Sequence, residues 1–316
     1  MGGAAQGRGQ SAERIVSQSI DPRDFQPALP LPGGFTRDQI LRSFLSFSID
    51  GSAGGELDGY AHEECDRFLH TLGLVPEGPL RILEIGANPY FMTYLLTLFR
   101  PSAQVTLVNY FGAGDSGGVS RQSVRARHPG GERDDLLSFD FHIVNLEDAD
   151  LPFEDASFDL VLYCEVIEHM THDPLSTILK LKRVLAPEGR IIVTTPNVAR
   201  LENVARLIAG ANLYDPYSGY GPYGRHNREY TRHELHHLLK YCGFVEEAFF
   251  TADVHDNHAG HFADVSKLAE LLKGRANDLG QYLFTRCVNA GPAPTRLPSW
   301  LYRSYAPERL DERHGA

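Results

Sequence analysis

The sequence predicts an α/β fold: a doubly wound, mostly parallel sheet with helices on both faces, an antiparallel last strand and a helical cap at the N-terminal side. Three observations carry this prediction. From Leu80 onward, short apolar runs alternate with helix-period segments, the pattern of a parallel sheet wound with helices. Apolar residues make up 42% and charged residues 22% of the 316, an ordinary globular balance that supplies a sizeable core. The first apolar run ends in the turn Gly86-Ala87-Asn88, and the carboxyl ends of strands are where open α/β sheets hold ligands.

Residues 1–34 are rich in Gly, Ala, Gln and Pro and show no sustained period, so they are expected to form a mobile arm. Residues 35–79 are expected to form the cap: two amphipathic helical stretches between Thr36 and Leu72, split by the glycine-rich break Ile49–Gly55. The main domain, 80–290, follows. Its expected strands are Arg81–Ile85, Gln104–Val108, Phe139–Val144, Phe158–Tyr163, Arg190–Thr194, Val245–Ala252 and Gln281–Val288. Helices are predicted at Met92–Phe99, Leu175–Leu185, Leu201–Ile208 and Thr231–Tyr241, with Pro187-Glu188-Gly189 and Gly243 as stop signals. An insertion at 197–230 with tyrosines at 214, 217, 220 and 223 is expected to act as a substrate lid. The tail, 291–316, carries one apolar island, Leu297–Tyr302, which could dock on the body or on a partner chain.

Composition narrows the functional classes. A net charge of −11 repels a phosphate backbone, so nucleic acid is a poor substrate or partner. Cys65, Cys164, Cys242 and Cys287 lack zinc or redox spacing and suit free thiols in a reducing compartment. No apolar run reaches the roughly 18–20 residues of a membrane span, and the start has neither a secretory nor a myristoylation pattern, so a cytoplasmic location is expected. A homo-oligomer is compatible with all of this.

The turn after Arg81–Ile85 does not meet the dinucleotide fingerprint, because Asn88 and Phe91 stand where its second and third glycines belong. Glu84 at the strand end would repel a pyrophosphate. S-adenosylmethionine, with an ammonium and a sulfonium but no phosphate, suits an acidic strand end. Leu83-Glu84-Ile85-Gly86 resembles motif I of the class I methyltransferases, whose domain is Rossmann-like. The resemblance continues at Leu151–Asp159, Glu165–His169 and Leu185–Arg190, and spans Leu80 to Val288. It implies a cofactor held by Glu84, Gly86, Ala87, Asn88, Asn109, Tyr110, Asn145 and Leu146. Two residues depart from the family pattern: Asn88 replaces a glycine, and Asn109 replaces the acidic residue that grips the ribose hydroxyls. Asparagine still exchanges hydrogen bonds with a hydroxyl.

Glu165, Glu168 and His169 are spaced to share one side of a first helical turn at the cofactor edge. Two carboxylates and an imidazole form an oxygen-and-nitrogen set suited to Mg²⁺ or Mn²⁺. Together with Arg225–Arg232, this segment is similar to small-RNA 3′-terminal 2′-O-methyltransferases and to methyltransferases of bacterial surface-sugar pathways. That similarity implies a metal held by Glu165, Glu168, His169 and His226, with Glu168 and His169 catalytic. Metal-free catalysis, with His169 or a glutamate as general base, and a purely structural role remain as alternatives. The leading expectation is a metal-assisted O-methyltransferase of a sugar hydroxyl in a polysaccharide, glycolipid or glycosylated metabolite. An aromatic or quinone-precursor hydroxyl is the nearest rival. Asn88 and Asn109 also keep open a cofactor-binding interaction protein without turnover, and a small-RNA modifier is a further alternative.

Overall fold

The computed structural model describes residues 34–50, 57–112, 117–131 and 133–311. The expected arm, apart from Gly34, and the glycine break from Gly51 to Gly55 lie outside the described residues.

Thr36 starts α1 (Arg37–Leu45) with a capping box: its hydroxyl accepts from Gln39 N, and the Gln39 side chain accepts from Thr36 N. After β1 (Ser48–Ile49) comes α2 (Asp58–Leu74), and the two helices pack on α3 (Phe91–Phe99) through aromatic rings. Phe44 stacks on Phe91 with centroids 4.2 Å apart, and Phe68 meets the same ring edge-on at 5.5 Å. The cap is therefore fastened to the first helix of the sheet domain.

Among the described residues, nine strands form one sheet: β1, β2 (Arg81–Ile85), β3 (Gln104–Asn109), β4 (Val119–Arg127), β5 (Asp134–Ile143), β6 (Phe158–Cys164), β7 (Leu185–Pro196), β8 (Phe244–Ala252) and β9 (Tyr282–Asn289). Their order is β1-β4-β5-β3-β2-β6-β7-β9-β8. The five central strands, β5 through β7, run parallel and the last strand, β9, runs antiparallel, as the sequence predicts; β9 lies between β7 and β8. Alternation along β2 splits its side chains between two cores: Ile82 faces the layer of α1, α2 and α3, whereas Leu83 and Ile85 face that of α4 (Pro174–Val184) and α6 (Arg232–Tyr241). Helix α5 (Leu201–Ile208) opens the insertion.

The long hairpin β4–β5 departs from expectation. Only Phe139–Val144 reads as a strand in the sequence, yet pairing runs from Val119↔His142 to Arg127↔Asp134. β4 is rich in Arg, Ser and Gln and half-exposed, so backbone pairing with β5 holds it where an apolar run does not.

The apolar island of the tail docks on the body of its own chain. Tyr302 is buried; its hydroxyl donates to Asp173 Oδ1 at 2.6 Å and accepts from Leu175 N at 3.0 Å, at the start of α4. No helix among the described residues is long and apolar enough to cross a membrane.

Candidate functional site

The carboxyl ends of β2, β3, β5 and β6 surround a cavity of about 260 Å³. Gly86 forms its floor with φ +71°, a left-handed conformation, and a Cβ there would stand 2.8 Å from Val166 Cγ2. Only glycine allows β2 to turn beneath the β6 loop at this distance. Beyond the turn, Asn109 at the end of β3 takes two bonds: its Oδ1 accepts from Asn88 N at 3.1 Å, and its Nδ2 donates to Tyr90 Oη at 3.2 Å. The two asparagines that depart from the family pattern are thus joined, one orienting the other. Asn145 Oδ1 accepts from Glu147 N, and its amide reaches Asp148 and the hydroxyl of Tyr223, which stands edge-on to Tyr110. Gly86, Asn88, Asn109, Tyr110, Asn145 and Leu146 all line this cavity.

Glu84 and Ala87 line a smaller neighbouring cavity of about 70 Å³, which shares Ile85, Gly86, Asn88 and Glu165 with the first. Its far wall is Arg67 from α2, which sequence patterns alone do not single out. The buried guanidinium donates to Glu64 Oε2 and to Tyr60 Oη, both at 2.5 Å. Burial works against its charge, but Tyr60, Glu165, Glu64 and Tyr282 more than offset that and hold the group firmly cationic. The signal was present: Tyr60, Glu64 and Arg67 sit at i, i+4 and i+7, one face of one helix.

The structure replaces the expected helical turn at Glu165–His169 with a kink. Glu165 has φ +53°, and only Ile167–His169 form a short 3-10 turn. The two carboxylates consequently diverge. Glu165 Oε1 accepts from Thr194 Oγ1, and this residue lines both cavities beside Arg67. Glu168, wholly buried, accepts from Thr195 Oγ1 with Oε2, whereas its Oε1 has no hydrogen-bond partner among the described residues. Burial raises the pKa of both carboxyls.

Glu168, His169 and His226 bring one ligand atom each within 4.8 Å of one another. Glu165 does not join that group. His169 Nε2 lies 3.9 Å from Glu168 Oε1, while its Nδ1 donates to the Arg225 carbonyl at 3.0 Å. His226 Nδ1 meets Glu229 Oε1 at 3.1 Å, and its Nε2 makes no hydrogen bond among the described residues. Burial lowers the His169 pKa and the neighbouring His226 lowers it further. Burial also works to lower that of His226, but Glu229, Glu168 and Asp215 outweigh it and lift the value to about 9. A second grouping, Asp215, His226 and Glu229, meets the same distance criterion, yet Arg200 already engages Glu229 at 2.6 Å and the His226 backbone N already donates to Asp215.

Asn197, near this region in sequence, is a turn residue: its side chain bonds the carbonyls of Asp278 and Gly280 and the amide of Ala199. His258 stacks on His261 at 5.2 Å, and these two form no three-donor metal grouping with His255 among the described residues. His236 pairs with Glu246 at 2.7 Å, and His237 lies near the Trp300 ring.

Residues 57–247 match a family described as a methyltransferase domain. A malonyl-[acyl-carrier protein] O-methyltransferase of Halorhodospira halophila is 30% identical over 158 residues, 49% of this chain and 49% of that protein. The chain thus spans about half the length of that curated relative. Among solved structures, a chain from the complex of the Haloferax volcanii Trm112 methyltransferase activator with a methyltransferase aligns at a TM-score of 0.47 and 17% identity, covering 79% of this chain and 97% of that one. A Thermotoga maritima S-adenosylmethionine-dependent methyltransferase aligns at 0.43 and 17%, covering 73% and 89%. With more than half of its residues inside the family match, the chain belongs to the methyltransferase-domain family.

Proposed function

We propose that the protein methylates a sugar hydroxyl and that a divalent cation, held by Glu168, His169 and His226, assists the transfer. The observation that carries this reading is Glu168 Oε1, a buried carboxylate oxygen without a partner among the described residues, beside two imidazoles each tied through Nδ1. An imidazole anchored at one nitrogen presents the other as a metal ligand, the ion displacing the proton that His226 otherwise keeps at pH 7, and an orphaned buried carboxylate oxygen is costly unless something occupies the space before it. Two imidazoles with one carboxylate suit Mn²⁺ better than Mg²⁺, which prefers an all-oxygen shell.

A bound cation supplies a lowered hydroxyl pKa and a fixed oxygen position. The chain supplies the rest. Arg225 and Glu229 lock the two rings, Thr195 orients Glu168, and His169 stays neutral at pH 7. On the cofactor side, Arg67 suits the α-carboxylate and Glu84 the ammonium, Asn109 suits the ribose hydroxyls, and Tyr110, Asn145 and Leu146 suit the base. Glu165, between the two cavities, is assigned to the cofactor side rather than to the metal. The O-methyltransferase relative supports transfer to oxygen, and the carboxylates and imidazoles beyond His226 support a polyhydroxylated acceptor.

Methyl transfer to saccharide acceptors tests the reading. EDTA should abolish activity, Mn²⁺ should restore it, and Glu168→Gln should remove the spin-resonance signal of bound Mn²⁺. Activity that survives both EDTA and His226→Ala overturns the metal assignment and leaves Nε2 of His169 to take the hydroxyl proton.

A further inference from the structure

Lined by His226 and sharing no lining residue with the cofactor cavity, a second large cavity of about 490 Å³ lies between α2, the end of β7, the insertion and the 253–262 loop. We infer that this cavity is the acceptor pocket and that its acceptor is a polyhydroxylated molecule carrying a protonated amine, with Glu63 and Asp256 selecting for that charge. The inference rests on the proposed transfer to a sugar hydroxyl and deepens it.

Charge pairing inside the cavity leads there. Arg200 is bound to Glu229 at 2.6 Å, and Glu202 is bound to Arg206 at 2.9 Å. Asp215 Oδ2 accepts from the His226 backbone N at 3.0 Å. The two arginine–glutamate pairs neutralise one another. Glu63 and Asp256, both exposed, are left without any ion-pair or side-chain hydrogen-bond partner among the described residues. A carboxylate-bearing acceptor, such as a malonyl group, would be repelled at this rim, and a neutral sugar would gain nothing from it. An ammonium gains from both. The second observation is at the inner end: His226, which lines this cavity, has a ligand atom within 4.8 Å of those of Glu168 and His169. An acceptor seated in the cavity would therefore end at His226, one of the three residues proposed to hold the activating ion.

The test is binding to the full chain loaded with S-adenosylhomocysteine, measured by titration calorimetry with three matched probes: methyl glucosaminide, methyl glucoside and methyl glucuronide. The expected order is amine, neutral, acid, with the amine preferred about tenfold over the neutral sugar for two exposed ion pairs. Raising the salt should compress that preference. Glu63→Gln with Asp256→Asn should abolish it, and either change alone should remove part of it, while S-adenosylhomocysteine affinity stays unchanged and reports an intact fold. Equal affinities, preference for the acid, an amine preference that survives the double change, or no binding by any probe would each overturn the inference. Because no turnover is needed, amine-selective binding without methyl transfer would uphold the pocket and refute the sugar-methylating reading.

Discussion

At Gly86 a single hydrogen decides whether the cofactor turn exists. Gly86→Ala puts a Cβ against Val166 in a backbone conformation that disfavours side chains, so a loss of roughly 1–3 kcal/mol in unfolding free energy is expected, with at least a tenfold loss of cofactor affinity by calorimetry. Glu84 yields a pH dependence. Burial pushes its carboxyl up to about 8, with Thr93 Oγ1 donating a bond that only partly offsets this, whereas the unfolded carboxyl titrates near 4.5. Between those values the folded state holds more protons than the unfolded one. Stability therefore falls as pH rises from about 4.5 to about 8, by on the order of 3–5 kcal/mol, and levels off above. Glu84→Gln should make this slope shallower in urea unfolding curves of the ligand-free protein, the remainder coming from Glu165 and Glu168, whose carboxyls burial also raises. A cofactor ammonium favours the carboxylate, so binding at pH 7 should release about one proton, read as a buffer-dependent binding enthalpy.

Among the elements, α4 shows how the tail acts. Its first turn is held by Tyr302, which gives its proton to Asp173 and takes one bond from the buried Leu175 amide. Tyr302→Phe leaves that amide unpaired and should cost about 1–3 kcal/mol in urea unfolding. The sequence showed the island but not its berth, because an apolar run carries no record of which surface covers it. Elements with a strong period were legible: α5 is found at the predicted bounds, and β2 at its predicted residues. The β4–β5 hairpin was not, since strands held by backbone pairing with polar faces leave no alternation to read. The candidate site was legible as a set of residue types and only partly as a geometry. Glu168, His169 and His226 converge, whereas the left-handed backbone at Glu165 turns that carboxylate toward Thr194. A positive φ outside glycine has no signature in sequence spacing.

Over the whole molecule, net charge and layering make separate statements. With a charge of −11, no RNA binding should be detected even at low salt in a filter or anisotropy assay; salt-sensitive binding would restore RNA as the acceptor. Layering concerns the cap. Phe44 of α1 stacks on Phe91 of α3, and Arg67 of α2 reaches over the turn that α3 begins from, so the cap and β2 form opposite walls of one small cavity. Phe44→Ala should destabilise the protein by about 3–5 kcal/mol. If Arg67 holds one end of the cofactor, the seating of the cap and the occupancy of the cavity are thermodynamically reciprocal. Whatever factor a loosened cap takes from cofactor affinity, the cofactor must return as slower amide exchange in α1 and α2, even though neither helix carries any of the groups that bear on the acceptor hydroxyl.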